Sequence, residues 1–275
     1  MMQIEIVEMS ETRLSFILRD GTPGLANALR RVLISDIPKL AIDDVEFHLG
    51  PIMLDDREYE SITPLFDEVI AHRMGMIPLP TDHTLFVRKE DCVCEGEGCP
   101  SCTVMYSLNK FGPCTALSGD LMPLGNESLK PADELIPIIE LGDGQAVLIY
   151  ATARMGTARE HVKWQATHGV GYKYLPTVAV DDSLCDGCEK CIELCPGKVF
   201  VMDGELAVVT NPLDCVFCND CQEFCEPKAI SVKRDDTQFF FSMETDGSIS
   251  AKRALEIALT DLEGRFSRFC EELPA

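Results

Sequence analysis

Apolar residues alternate with polar ones at the start of the chain, with Ile4 and Ile6 in one run and Leu14, Phe16 and Leu18 in the next. The Ser-Glu-Thr stretch from Ser10 to Thr12 lies between them as turn material, so the pattern predicts a hairpin. The period then changes to that of a helix. Thr22 is a candidate N-cap, Pro23 suits the first helical position, Leu25, Leu29, Val32 and Leu33 share one face, and Pro38 forbids continuation. That stripe reads first as a core face. A second helix is expected from Thr63 and Pro64 through FDEVIAHRM to Gly75. A Gly- and Cys-rich loop from Cys92 to Cys102 follows, and then a β-leaning region with Pro and Gly breaks up to about residue 175.

The last forty residues read as an apolar strand, QFFFSM, a DGS turn and a long helix capped by Ser250. Leu255, Leu259, Leu262, Phe266, Phe269 and Leu273 recur along it at steps of four and three. Such a stripe wants another helix, either of its own domain or of a partner. With both strands and helices expected along the chain, the fold class is read as α+β.

Composition narrows the function. With 46 acidic against 24 basic residues the formal net charge is −22, which opposes any broad groove for nucleic-acid phosphates. The start of the chain lacks a basic end followed by an apolar run, and no stretch approaches the roughly 18 apolar residues of a spanning helix. A cytoplasmic protein is expected, and its fourteen cysteines then point to metal ligation rather than disulfides.

Eight of those cysteines form an internal repeat of thirty residues, CDGCEKCIELC followed by CVFCNDCQEFC, each a CxxCxxCxxxC run of ferredoxin type. Three thiolates in one tight loop can cap three irons of a cubane, while the fourth, starting a short helix, points elsewhere. Two such runs can trade their last cysteines. Cys185, Cys188, Cys191 and Cys225 are then expected to hold one [4Fe–4S] cluster, and Cys215, Cys218, Cys221 and Cys195 the other. Zinc also accepts four thiolates and stands as the alternative, but two complete runs in tandem favour clusters. Pro196 follows Cys195 directly, whereas Glu226 intervenes between Cys225 and Pro227, which puts the second turn in question.

Cys92, Cys94, Cys99 and Cys102 are spaced so that they can close round one structural zinc, with free thiols as the alternative. Cys114 and Cys270 match no ligand pattern and are expected as small buried apolar residues. The five histidines show no metal spacing, and no nucleophile elbow, phosphate loop or dinucleotide fingerprint occurs. No catalytic residue is assigned. Taken alone, the clusters would suit an electron-transfer protein or an oxidoreductase subunit.

Four stretches change that reading. ANALRRVLISDIPKLAIDDVEF (Ala26 to Phe47), TPLFDEVIAHRMGMIPL (Thr63 to Leu79), EHVKWQATHGVGYKYLP (Glu160 to Pro176) and TDGSISAKRALEIAL (Thr245 to Leu259) resemble motifs of the alpha-type assembly subunits of multisubunit RNA polymerases, most of all the archaeal ones. The resemblance implies that residues 1–47 and 235–275 fold together as a dimerisation domain. Residues 48–174 would then be a β-rich insertion domain with its Cys-rich loop 92–102, and residues 175–234 a ferredoxin-like iron–sulfur domain. It further implies a non-catalytic role in transcription, as part of a nucleotidyltransferase whose active site lies elsewhere. The expected partners are the smaller subunit L, met through Leu29, Val32, Leu33, Leu255, Leu259, Leu262 and Phe266, then small zinc-bearing subunits and the two large catalytic subunits. The Cys92 loop resembles a zinc loop of the eukaryotic counterpart, with one extra residue between its second and third cysteines.

Overall fold

A computed structural model of the chain describes residues 3–55 and 57–273. The first hairpin joins β1 (Gln3–Met9) to β2 (Arg13–Arg19). The Ser10 amide donates to the Arg13 carbonyl at 2.8 Å, and the Ser10 hydroxyl accepts from the Arg13 amide at 3.0 Å. Only β2 sends its alternating row fully inward: Leu14, Phe16 and Leu18 are buried, while Ile6 on β1 is 46% exposed. Helix α1 (Pro23–Ser35) begins where Thr22 accepts the Leu25 amide through its hydroxyl at 3.3 Å.

Strands β3 (Lys39–Phe47), β4 (Ile52–Leu54) and β5 (Arg57–Tyr59) lead to α2 (Asp67–Gly75). This helix starts four residues later than the expected start at Thr63. The Thr63 hydroxyl donates to the Leu65 carbonyl at 2.7 Å instead of accepting an amide, and Phe66 stays extended at ψ 146°. The first turn therefore opens at Asp67 and Glu68, whose carboxylates suit the positive end of the helix.

The β-leaning region resolves into β6 (Thr103–Phe111), β7 (Cys114–Leu117), β8 (Met122–Pro123), β9 (Pro137–Leu141), β10 (Ala146–Gly156) and β11 (Thr167–Val180). Two short helices follow, α3 (Lys190–Leu194) and α4 (Asp220–Glu223), with the ladder of β12 (Phe200–Asp203) and β13 (Leu206–Val209) between them. A sixteen-residue strand, β14 (Ile230–Thr245), then leads to the terminal helix α5 (Ala251–Glu272). One four-stranded sheet runs β1-β2-β14-β11 and the other β3-β10-β6-β8.

The chain divides into two compact units, one of Met1–Glu8, Ser15–Ala28 and Gly171–Ser242, the other of Met9–Leu14, Leu29–Val170 and Met243–Ala275. In the second unit β10 lies antiparallel between β3 and β6, and Ile70 and Met74 of α2 join Ile42, Leu108 and Ile149 in one buried cluster. In the first unit Phe16 and Phe241 stack at 4.9 Å, with the Tyr172 ring 5.2 Å from Phe241. A separate core of Val199, Phe200, Ala207 and Ile230 forms around the repeat cysteines. The expected domain limits at 174 and 234 fall inside β11 and β14, so those strands run through both sides of each limit.

Candidate metal centres and an assembly surface

Each CxxCxxC loop is bent by two left-handed residues at matching places, Gly187 (φ 71°) and Glu189 (φ 61°) in the first, Phe217 (φ 57°) and Asn219 (φ 66°) in the second. Glycine is required at 187, because a Cβ there would stand 2.4 Å from the Glu205 carbonyl oxygen. The fourth cysteine of each run opens an equivalent turn. The Lys198 amide donates to the Cys195 carbonyl at 3.2 Å and the Lys228 amide to the Cys225 carbonyl at 3.1 Å, with both lysines left-handed. The displaced proline after Cys225 thus leaves the turn unchanged, since Glu226 and Pro227 occupy the same two positions as Pro196 and Gly197.

Two clefts result. Cys185, Cys188, Cys191 and Cys225 line one, and Cys195, Cys215, Cys218 and Cys221 line the other, with Cys221 also at the edge of the first. Electrostatics reports the same grouping. Burial raises the Cys191 pKa, helped by Cys185, Cys188 and Cys225. Burial likewise pushes Cys221 up to about 11, helped by Cys195, Cys215 and Cys218. Crowded, half-desolvated thiols of this kind are uncomfortable as free thiolates and suit a cationic centre that shares their charge.

The loop from Cys92 to Cys102 is a third constellation. Its four sulfurs lie within 4.8 Å of one another, with Cys92 to Cys99 at 3.5 Å, Cys94 to Cys102 at 3.6 Å and Cys99 to Cys102 at 3.9 Å. Four sulfurs around a zinc at about 2.3 Å stand about 3.8 Å apart, so the set fits a tetrahedral ion. Left-handed Glu95, Gly96 and Gly98 fold the four residues between Cys94 and Cys99. The Gly98 amide, above all, lowers the Cys94 pKa to about 6, whereas burial pushes Cys102 up to about 12.

Of the unassigned cysteines, Cys114 is half-buried and donates to the Phe111 carbonyl at 3.3 Å. Cys270 corrects its expectation: it is exposed, as are residues 266–273 around it at the end of α5.

The stripe on α5 splits in two. Ala251, Ala254, Leu255, Ala258 and Leu262 are buried and Leu259 is half-buried, whereas Phe266, Phe269 and Leu273 are more than half exposed. Leu29, Val32 and Leu33 are also interior to this chain. Among the residues expected to meet a partner, Phe266 alone is open to one across most of its surface.

The chain ends meet in the second unit. The Thr245 amide donates to Thr12 and the Ala251 amide to Glu11, each at 2.8 Å, and Ser250 caps α5 by accepting the Arg253 amide at 3.3 Å. Three ionic nodes escaped the sequence reading. Lys39, 3% exposed, pairs with Asp246. Asp36 is gripped by Arg159 and Arg265. Asp43 pairs with Lys163 and with Arg154 at 2.6 Å, and both cations lie over the Trp164 ring. Their only local signal was that Asp246, Arg159 and Lys163 sit in or beside the quoted motifs.

The chain is a mixed sheet-and-helix protein with cysteine groups that could hold metal. Residues 15–266 match the family model described as the RNA polymerase Rpb3/Rpb11 dimerisation domain, and the chain belongs to that family. It is 45% identical over 273 residues, 99% of each chain, to DNA-directed RNA polymerase subunit Rpo3 of Thermoplasma volcanium. It is 37% identical over 265 residues to the subunit of the same name from Archaeoglobus fulgidus, covering 96% of this chain and 95% of the other. To DNA-directed RNA polymerase II subunit rpb3 of Dictyostelium discoideum it is 28% identical over 298 residues, with coverage of 96% and 95%.

Proposed function

We infer that the chain is a non-catalytic assembly subunit of DNA-directed RNA polymerase, carrying metals that hold its insertions folded. The observation that carries this is the family match from residue 15 to 266, together with relatives of that name covering nearly the whole chain. The physical chemistry agrees. Nucleotidyl transfer needs metal-binding carboxylates round a template, and a chain of net charge −22 opposes a template groove.

On this reading residues 1–47 and 235–275 dimerise with the smaller subunit L, and the pair recruits small zinc-bearing subunits and the large catalytic ones. Residues 48–174 and 175–234 serve as insertion and iron–sulfur domains. Cys185, Cys188, Cys191 and Cys225 would hold one [4Fe–4S] cluster, Cys195, Cys215, Cys218 and Cys221 the other, and Cys92, Cys94, Cys99 and Cys102 a zinc. The fit is supported by two four-sulfur clefts and one set of sulfurs at zinc spacing. Bound clusters supply folding free energy and a one-electron redox centre.

Anaerobic affinity purification, read by mass spectrometry and metal analysis, tests partners and metals together. The large polymerase subunits and L are expected to co-purify, with about eight irons and about one zinc per chain. Redox enzymes in place of polymerase subunits would support an electron-transfer protein instead. Cys188→Ser is expected to leave pairing with L intact and to weaken later assembly; full assembly without iron would show that the clusters have no structural part.

A further inference from the structure

The two sulfur sets are built by a repeat, yet their electrostatic surroundings differ. On β11 the Lys173 ammonium donates to the carbonyls of Leu213 and Cys215, the latter at 3.2 Å, and lies 5.6 Å from the Phe240 ring centre. A part-buried cation is therefore pinned to the backbone of the loop that presents Cys215. The backbone turn before each run is the same, with the Asp181 carbonyl accepting the Leu184 amide at 3.1 Å and the Asn211 carbonyl accepting the Asp214 amide at 3.0 Å. The side chains differ: the Asp181 carboxylate accepts the Ser183 amide and hydroxyl in the first repeat, where the second has neutral Asn211 and the Lys173 ammonium.

The neighbouring charges point the same way. The first loop carries Asp181, Asp182, Asp186 and Glu189 where the second has Asn211, Pro212, Val216 and Asn219. In return the second has Asp214 and Asp220 at the places of Leu184 and Lys190, but the Lys190 charge is neutralised by Glu226 at 2.7 Å. Lys198 and Lys228 occupy equivalent turns and offset each other.

We propose that Lys173 makes the set of Cys195, Cys215, Cys218 and Cys221 the first of the two to accept an electron. This rests on the iron–sulfur reading of both sets. Reduction adds one negative charge to a cluster, and a fixed cation held out of bulk water favours the more negative form. Lys173 is thus a positioning and tuning residue and not a ligand.

The test uses the full chain, purified anaerobically with its iron. It is titrated with dithionite as one-electron donor and followed by electron paramagnetic resonance. Cys218→Ser identifies the second set as the wave that moves or disappears, and that wave is expected to be the higher of two. Lys173→Met is expected to lower it towards the other wave while the lower wave stays in place, and Lys173→Arg, which keeps the charge, is expected to keep it high. Both waves moving equally, or neither moving, would overturn the proposal. If Lys173→Met sheds iron, Lys173→Gln replaces it as a neutral donor. If both shed iron, the order of waves in the unmodified chain decides alone, and a second set that reduces last sinks the idea. A chain with no iron and no wave would refute the cluster reading beneath it.

Discussion

Asp36 has only 4% of its side chain exposed and closes the end of α1. Burial alone would raise its pKa, but hydrogen bonds from Arg159, Ser35 and Arg265 outweigh it and hold the carboxyl down to about 2 from 3.8. The folded value lies below the unfolded one. The stabilisation is therefore complete above 3.8 and is lost as the pH falls towards 2. Asp36→Asn is expected to cost about 2 kcal/mol near neutral pH and much less near pH 2, measured by chemical unfolding. An equal loss at both would mean that packing, not charge, is what the side chain supplies. Gly187→Ala adds a Cβ at 2.4 Å from the Glu205 carbonyl oxygen in a left-handed position. It is expected to halve the iron content, because the equivalent residue of the second loop is Phe217 and that loop is untouched. Loss of all the iron would show that the loops do not fold independently.

Among elements, α5 gives the clearest division between legible and hidden. Its period, its Ser250 cap and its length follow from neighbours within a few residues, and the helix forms as read. Which of its leucines and phenylalanines face the chain's own core does not follow from period, because an inward and an outward stripe of the same helix look alike in sequence. Leu262, 7% exposed, is core, and Leu262→Ala is expected to destabilise the chain by about 2–4 kcal/mol. Phe266 and Phe269, 54% and 61% exposed, are not core. Replacing both by Ser is expected to leave the melting temperature nearly unchanged while weakening binding to L, measured by calorimetry on purified subunits. Unweakened binding would move the partner surface elsewhere. In α2 the expected start at Thr63 and Pro64 gives way to one at Asp67. The Thr63 hydroxyl donates to the Leu65 carbonyl instead of accepting an amide, and nothing in the local sequence ranks those two hydrogen bonds.

At the scale of the whole chain, β11 and β14 run out of the first sheet to frame the repeat, and the cysteines form much of the small core there. Removing iron with a chelator is expected to raise hydrogen exchange across residues 181–229 while β3, β6 and β10 stay protected, since that sheet has a buried core of its own. Global loss of protection would show the two cores to be one cooperative unit. The sequence by itself determined the helices and turns with local causes, the thirty-residue repeat of the cysteine runs, and the family, whose motifs are contiguous. Only the tertiary structure decided that Asp36 meets Arg265, that Lys39 meets Asp246 and that Lys173 reaches Cys215. Those contacts join residues 229, 207 and 42 positions apart. Such pairs depend on which strands and helices arrive side by side, and no pattern confined to a few neighbouring residues records that.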